Sequence, residues 1–162
     1  MFEPDENGVI FRFGASSVRR IFACGVLYGL GVLVIYVALV RPPQIVGLVF
    51  LLVFGCAALL IAERLRRATL IEIELTETQV RDSTGRVLAE FDDILSVERG
   101  AFALKPSNGF TLVLNGRKPR AWVPGMWWRM GKRVGVGGTT SAGPAKFMAE
   151  QIALRIASRE AT

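Results

Sequence analysis

Histidine is absent from this chain of 162 residues, and cysteine occurs only twice. Histidine is the commonest general base and the commonest metal ligand in proteins, so its absence removes the most frequent route to either kind of site. Cys24 and Cys56 both lie inside apolar runs, where they either contact each other across two antiparallel helices or act as small apolar side chains. We therefore expect a protein that is not an enzyme and that holds no metal and no cofactor.

Formal charges are also absent from two long stretches, residues 21–40 and 45–62. A helix of about 20 apolar residues is long enough to cross a bilayer. A signal peptide has a shorter apolar core, of about 7–15 residues, followed by a cleavage site of small residues. We therefore predict a transmembrane hairpin over residues 19–67, with spans at 21–40 and 45–62 and a short connector between them.

Arginines flank the two spans unevenly. Arg19 and Arg20 precede the first span and Arg64 and Arg66 follow the second, whereas Arg41 is the only basic residue of the connector. Positively charged residues beside a span stay on the cytoplasmic side of the membrane. The pattern predicts that both termini face the cytoplasm and that the chain crosses the membrane twice.

Glycines recur within the predicted spans at helical spacing. Gly25 and Gly29 are four residues apart with Gly31 close by, and the second span contains Gly47 and Gly55. Glycines four apart lie on one face of a helix and let another backbone approach closely. These five glycines either pack the two helices against each other or dock on another membrane protein, and self-association would use the same kind of face.

After residue 68 the apolar pattern changes to a period of two, which is typical of strands. It predicts strands at residues 70–75, 79–82, 86–91, 101–105, 110–114 and 120–123, with a turn or short strand at 92–98. Met148, Ile152 and Ile156 then recur every four residues after Ser141, a suitable helix cap, and predict an amphipathic C-terminal helix.

The predicted fold is therefore an α+β membrane protein in three parts. Residues 1–18 are a cytoplasmic arm, in which segment 8–13 is a short strand, an interfacial segment or a loose tail. The transmembrane hairpin follows. Residues 68–162 form a cytoplasmic domain, a small antiparallel β sandwich or barrel capped by the C-terminal helix.

Charge is segregated within that domain. Residues 69–98 contain eight acidic and two basic residues, whereas residues 99–146 contain nine basic residues and no acidic one. Such a split predicts one strongly positive surface. Each basic residue near an anionic leaflet gains on the order of 1 kcal/mol of attraction, so anionic phospholipids are a candidate partner.

Aromatic and basic residues come together in one part of the basic segment. The residues concerned are Trp127, Trp128, Arg129, Lys132 and Arg133. Tryptophan rings suit the headgroup region of a bilayer, and basic side chains pair with phosphates. We predict that these residues contact either lipid headgroups or a protein partner. The alternative is a loop or strand end whose tryptophans pack under the C-terminal helix.

Two other uses of the basic segment do not fit the sequence. The glycine-rich loop before the C-terminal helix continues with Pro144 and Ala145, where a phosphate-binding P-loop needs lysine followed by serine or threonine. The domain also lacks a recognition-helix or aromatic-sheet signature of nucleic-acid binding. We expect neither a nucleotide nor a nucleic-acid partner.

Two apolar helices, a run of short antiparallel strands and one terminal amphipathic helix resemble the small bacterial membrane proteins that carry a pleckstrin-homology-like domain. Segment 91–97, in which a polar turn leads into an apolar pair, is similar to a segment of such domains. Segment 125–149 is similar to membrane proteins of photosynthetic and respiratory alphaproteobacteria. The resemblance implies a binding module in a bacterial inner membrane.

These observations favour two hypotheses. In the first, the protein is a non-catalytic accessory or scaffold subunit whose hairpin packs against a larger integral membrane complex, one of electron transfer or photosynthesis, and whose domain covers the cytoplasmic face of that complex. In the second, the domain is a module that binds anionic lipid headgroups through the basic tryptophan segment.

Overall fold

The structure, a computed structural model, describes residues 5–6, 8–99 and 106–160. The chain forms two compact units. The helical unit is Ser17–Arg67, and the β unit combines the chain up to Ser16 with the chain from Ala68 onward. The helical unit thus interrupts the β unit in sequence.

Two long helices form the helical unit. Helix α1 is Ser17–Val40 and helix α2 is Ile45–Ala68, so both predicted apolar stretches are helical. Each helix is long and apolar enough to cross a membrane, with a mean hydropathy of 2.4 in α1 and 3.0 in α2 over 18 residues. Pro42 and Pro43 follow α1 after Arg41, and proline disfavours helical geometry in the residue before it and removes a backbone donor.

The two helices pack as an antiparallel pair. Gly31 lies against Leu59, and Gly55 lies against Ile35. This alignment sets Cys56 near the level of Gly31, whereas Cys24 lies about two turns earlier along α1. Cys24 is buried, Cys56 is exposed and both are free thiols, so the first of the two alternatives, a contact between Cys24 and Cys56, was wrong.

The first sheet of the β unit is an antiparallel meander of four strands. They are β1 (Val9–Phe13), β2 (Ile73–Thr76), β3 (Gln79–Asp82) and β4 (Val87–Glu90), in that spatial order. Phe13 pairs with Ile73 across β1 and β2. Segment 8–13 was predicted to be a short strand, an interfacial segment or a loose tail, and in the structure Val9–Phe13 is a strand. This part of the arm therefore belongs to the first sheet.

The second sheet contains three antiparallel strands. They are β5 (Ile94–Glu98), β6 (Phe110–Val123) and β7 (Trp127–Val136), with β6 in the centre. A 3-10 turn at Phe91–Asp93 joins β4 to β5. The predicted strand at 101–105 lies outside the described residues.

Strand β6 corrects one part of the strand prediction. Segments 110–114 and 120–123 were predicted as separate strands, but they belong to one strand that continues through Asn115 and Gly116. The reason is the partner strand, because β7 pairs with both halves of β6. The register between β6 and β7 is irregular around Lys118, whose partner Gly131 adopts a left-handed φ of 60°. An irregularity of this kind accommodates residues of one strand that have no partner on the other strand.

The C-terminal helix closes the core of the β unit. Helix α3 is Ala142–Glu160, and the predicted apolar face is confirmed, since Met148 and Ile152 are fully buried and Ile156 is buried too. Side chains of both sheets and α3 form one hydrophobic cluster. The predicted α+β class is confirmed as two long apolar helices, two antiparallel sheets and a C-terminal helix.

Candidate functional site

Strand β7 carries all five residues of the predicted basic tryptophan surface, but Trp127 does not face solvent. Its side chain is 1% exposed, and it joins the hydrophobic cluster of the β unit. The cross-strand partner of Trp127 is Val123, which is buried as well. Side chains alternate between the two faces of a strand, so the register assigns Trp127 to the core. This residue is a correction to the predicted contact surface.

Arg129 holds the two sheets together. Its Nε donates to the carbonyl oxygen of Pro119 at 2.9 Å, and one Nη donates to the carbonyl oxygens of Val87 at 2.8 Å and Leu88 at 3.3 Å. Val87 and Leu88 belong to β4 of the first sheet, at the edge of that sheet. A guanidinium has five N–H donors in a fixed planar arrangement. In Arg129, Nε and one Nη donate to backbone carbonyl oxygens. Its role is positional.

Two further basic residues of the hairpin formed by β6 and β7 are paired with carboxylates. An Nη of Arg133 lies 3.0 Å from an Oε of Glu98, and Nζ of Lys118 lies 2.6 Å from an Oδ of Asp93. The hydrogen bond to Asp93 and its negative charge raise the pKa of Lys118 above the ordinary value. Acidic residues from the first half of the domain thus neutralise part of the basic half, and the predicted positive surface is smaller than the sequence suggests.

Three basic residues of the same hairpin keep their charge facing solvent. Arg117, Arg120 and Lys132 are exposed, and no hydrogen bond or ion pair involves them in the part of the chain that the structure describes. Arg117 and Arg120 lie on β6, and Lys132 lies on β7. Of the predicted surface, Lys132 is therefore the residue whose charge is available to a partner.

An apolar groove lies on the same two strands, and Arg120 lines it. Its lining residues, here called the tryptophan groove, are Arg120, Ala121, Trp122, Trp128, Arg129 and Met130, and its volume is about 610 Å³. Trp122 pairs across the strands with Trp128. The side chain of Trp122 is 70% exposed and that of Met130 is 56% exposed. Large apolar side chains grouped on a surface in this way are typical of contact sites.

Trp128 is positioned by a glycine. A Cβ atom at Gly135 would lie 2.3 Å from Cε2 of Trp128, so the indole ring occupies the space that any side chain at position 135 would need. Sequence analysis included the segment with Trp128 and Met130 but missed Trp122. The signal for Trp122 was its neighbour, because a buried Val123 sends the adjacent side chain to the outer face of the strand.

The glycines of the helical unit fall into two groups. A Cβ atom at Gly31 would lie 2.7 Å from Cδ2 of Leu59, and one at Gly55 would lie 2.6 Å from Cγ1 of Ile35. These two glycines form the contact between α1 and α2. A Cβ atom at Gly25 or Gly29 would meet no described atom within 4 Å. The GxxxG pair is thus separate from the helix–helix contact.

Gly47 belongs to neither group. A Cβ atom there would lie 3.1 Å from Cγ of Pro43 in the connector, so its neighbour is the turn between the helices rather than the opposite helix.

Comparison of the chain with protein families, curated proteins and solved structures gave no match. Within residues 5–6, 8–99 and 106–160, no group of three or more acidic, cysteine or histidine side chains could hold a metal ion. Among the described residues, the candidate sites are the tryptophan groove and the glycine face of α1, which is formed by Gly25 and Gly29.

Proposed function

We propose that this chain is a non-catalytic accessory or scaffold subunit of a bacterial cytoplasmic membrane. In this proposal α1 and α2 span the membrane, the β unit is a cytoplasmic module of the pleckstrin-homology-like kind, and the glycine face of α1 packs against a larger integral membrane complex. An electron-transfer or photosynthetic complex fits the resemblance of segment 125–149.

The surface of the helical unit supports membrane insertion. Only 17% of the most apolar window of each helix is buried, and side chains such as Ile45 and Val46 are 81% and 83% exposed. Contiguous apolar surface of this extent is rare on soluble proteins. A pair of helices satisfies its own backbone hydrogen bonds, as hydrocarbon requires.

The pairing of β1 with β2 supports an even number of crossings. Strand β1 precedes α1 and β2 follows α2, yet Phe13 and Ile73 are cross-strand partners. Both flanks of the helical unit therefore belong on the same side of the membrane. The arginines beside these flanks favour the cytoplasmic side.

The partner proposal rests on one observation. The contact between α1 and α2 involves Gly31 and Gly55 and leaves Gly25 and Gly29 uncovered. In lipid, helices associate by close packing, and small residues allow it. A GxxxG face that serves no contact within the helical unit is suited to a helix of another protein.

The test is a pull-down of the tagged full-length protein from its native membrane in mild detergent, followed by mass spectrometry. We expect one membrane complex to stay bound to the wild type and to be lost from the double variant Gly25→Leu and Gly29→Leu. The matched control is Val26→Leu with Val37→Leu, two exposed positions on α1 that lie about 90° around the helix from the glycine face.

Two results would contradict the proposal. Recovery of the tagged protein alone would remove the partner, and equal recovery of the complex by both double variants would remove the glycine face from the contact. A second copy with a different tag, expressed in the same cells, separates self-association from docking on another protein, because only self-association recovers that copy.

A second candidate function, binding of anionic phospholipids by the β unit, is favoured by the tryptophan groove and by three exposed cations on the two strands that carry it, one of which, Arg120, lines the groove. This combination of an apolar groove and uncompensated positive charge fits the headgroup region of an anionic bilayer.

A further inference from the structure

We infer that the tryptophan groove, together with Arg117 and Lys132, is a membrane-contact patch that takes an anionic bilayer surface as its ligand. The inference rests on the proposed membrane anchoring and deepens it, because it assigns the lipid-binding residues. The patch differs from the surface predicted from sequence, because it also contains Trp122, Arg117 and Arg120. Trp127 and Arg133 leave it, and Arg129 keeps only a positional role.

The apolar part of the patch has the composition of an interfacial anchor. Trp122 and Trp128 are cross-strand partners, and Met130 follows Trp128 by two residues on the same strand. Tryptophan is enriched at the boundary between hydrocarbon and headgroups, where its ring meets apolar chains and its N–H meets polar groups. Methionine is a flexible apolar side chain that adapts to irregular surfaces.

The charged part of the patch distinguishes a bilayer from other apolar partners. Within the β6–β7 hairpin, Arg129 has no acidic partner but donates to backbone carbonyls, whereas Arg117, Arg120 and Lys132 have neither an ion pair nor a side-chain hydrogen bond among the described residues. These last three belong to the two strands that carry the groove, and Arg120 lines it. Positive charge on the same strands as an apolar surface complements anionic headgroups over an acyl layer.

Chain connectivity keeps the β unit close to the bilayer on the proposed topology. Only residues 14–16 separate β1 from α1, and only residues 69–72 separate α2 from β2. A link of three or four residues spans at most about 14 Å. The effective concentration of the bilayer is therefore high, and contacts of modest strength suffice.

Quenching of tryptophan fluorescence from the acyl chains reports on this patch. The chain has three tryptophans, all on the β6–β7 hairpin and none in α1 or α2. Trp127 is buried, so a quencher carried in the acyl chains reaches Trp122 and Trp128 only if the groove meets the bilayer. The signal is independent of the helices even when these are inserted.

The experiment reconstitutes the full-length protein into vesicles that contain lipid with brominated acyl chains. In vesicles of phosphatidylglycerol and phosphatidylcholine, emission is expected to fall by about half, because two of the three tryptophans line the groove. In phosphatidylcholine alone the quenching is expected to be small, and raised salt is expected to reduce the quenching in anionic vesicles.

The decisive variant is the triple substitution Arg117→Gln, Arg120→Gln and Lys132→Gln. Each basic residue near an anionic surface contributes a factor of about five to the contact equilibrium, so the triple variant is expected to lose contact on the order of a hundredfold. The matched control removes the same net charge elsewhere in the β unit, at three exposed basic positions: Arg86→Gln, Arg99→Gln and Lys146→Gln.

The apolar part is tested by Trp122→Ala, which leaves Trp128 as the reporter. We expect the quenching of Trp128 to fall severalfold, because Trp122, the exposed tryptophan of the pair, no longer anchors the β6–β7 hairpin to the bilayer. An unchanged thermal unfolding curve of the β unit would show that the variant is folded.

Flotation of the same vesicles separates this inference from the proposed anchoring. Protein that floats after alkaline extraction but shows no quenching would overturn the patch and leave the anchoring intact. Protein that does not float would overturn the anchoring. Equal quenching in neutral and anionic vesicles, or equal loss in both triple variants, would overturn the assignment to Arg117, Arg120 and Lys132.

Discussion

The helical unit and the β unit bury their apolar residues in opposite ways. In the β unit, large side chains from two sheets and one helix converge on a single core, in which Trp127 and Leu112 have almost no exposed surface. In the helical unit the buried positions are mainly small, such as Gly31, Ala38 and Ala62, and the large side chains point outward. On the proposed topology the contrast has a physical reason, because a unit that folds in water hides its bulky residues, whereas one that folds in lipid packs through its smallest.

The two units also differ in how they treat charge. In the helical unit the ionic contacts are local, since Glu63 pairs with Arg66 and Arg67 within one turn of α2. In the β unit several pairs join residues that are distant in sequence, as with Lys118 and Asp93. Folding of the β unit therefore cancels part of the charge that the sequence keeps apart, and the cations of the β6–β7 hairpin that stay unpaired among the described residues belong to the candidate contact patch.

The largest expected effect contrasts a buried with an exposed tryptophan in the β unit. Trp127→Ala empties part of the core and is expected to lower the free energy of unfolding by about 3–5 kcal/mol. Trp122→Ala changes an exposed side chain and is expected to stay within about 0.5 kcal/mol. Hydrogen exchange of the full-length protein, resolved by peptide, measures both and leaves α1 and α2 as an internal reference. Similar effects of the two substitutions would contradict the burial of Trp127.

A smaller effect contrasts two glycines of α1. Gly31→Leu forces a side chain against Leu59 and is expected to destabilise the helix pair by about 1–3 kcal/mol. Gly29→Leu enters open space and is expected to leave the pair unchanged. Loss of the helical circular-dichroism signal on heating in detergent measures the difference. Equal destabilisation by Gly29→Leu and Gly31→Leu would show that Gly29 belongs to the contact between α1 and α2.

The smallest effect concerns Lys118. Because the pKa of Lys118 is raised in the folded state by Asp93, its ion pair adds stability below the ordinary lysine pKa, and that stability is lost as pH rises through the raised value. Lys118→Met is expected to flatten the fall in melting temperature between about pH 9 and pH 12. Tryptophan emission follows the melting of the β unit. If the variant and the wild type showed the same fall in melting temperature over this pH range, other groups would account for the pH dependence.

Elements defined by local pattern were predictable from the sequence. The uncharged lengths of 21–40 and 45–62 specified α1 and α2, and the spacing of Met148, Ile152 and Ile156 specified α3. Strand β3 has the predicted bounds, Gln79–Asp82. In each case a continuous period of apolar residues carries the information.

Elements that depend on a distant partner were not predictable. Asn115 and Gly116 suit a turn, and only the pairing of β7 with both sides of them keeps β6 continuous. Strand β7 itself has glycines and mixed polarity, so no period of two was visible. The inward position of Trp127 and the outward position of Trp122 follow from this register, which is why sequence analysis chose the wrong tryptophan for the surface.

The pairing of β1 with β2 has a consequence for the order of events during synthesis. Strand β1 leaves the ribosome before the helical unit, but its partner is made only after both helices. On the proposed topology, a chain in which one helix failed to insert would leave its first strand across the bilayer from the rest of the sheet. The first sheet then cannot be completed in a chain with a single inserted helix, so pairing of β1 with β2 excludes this insertion error.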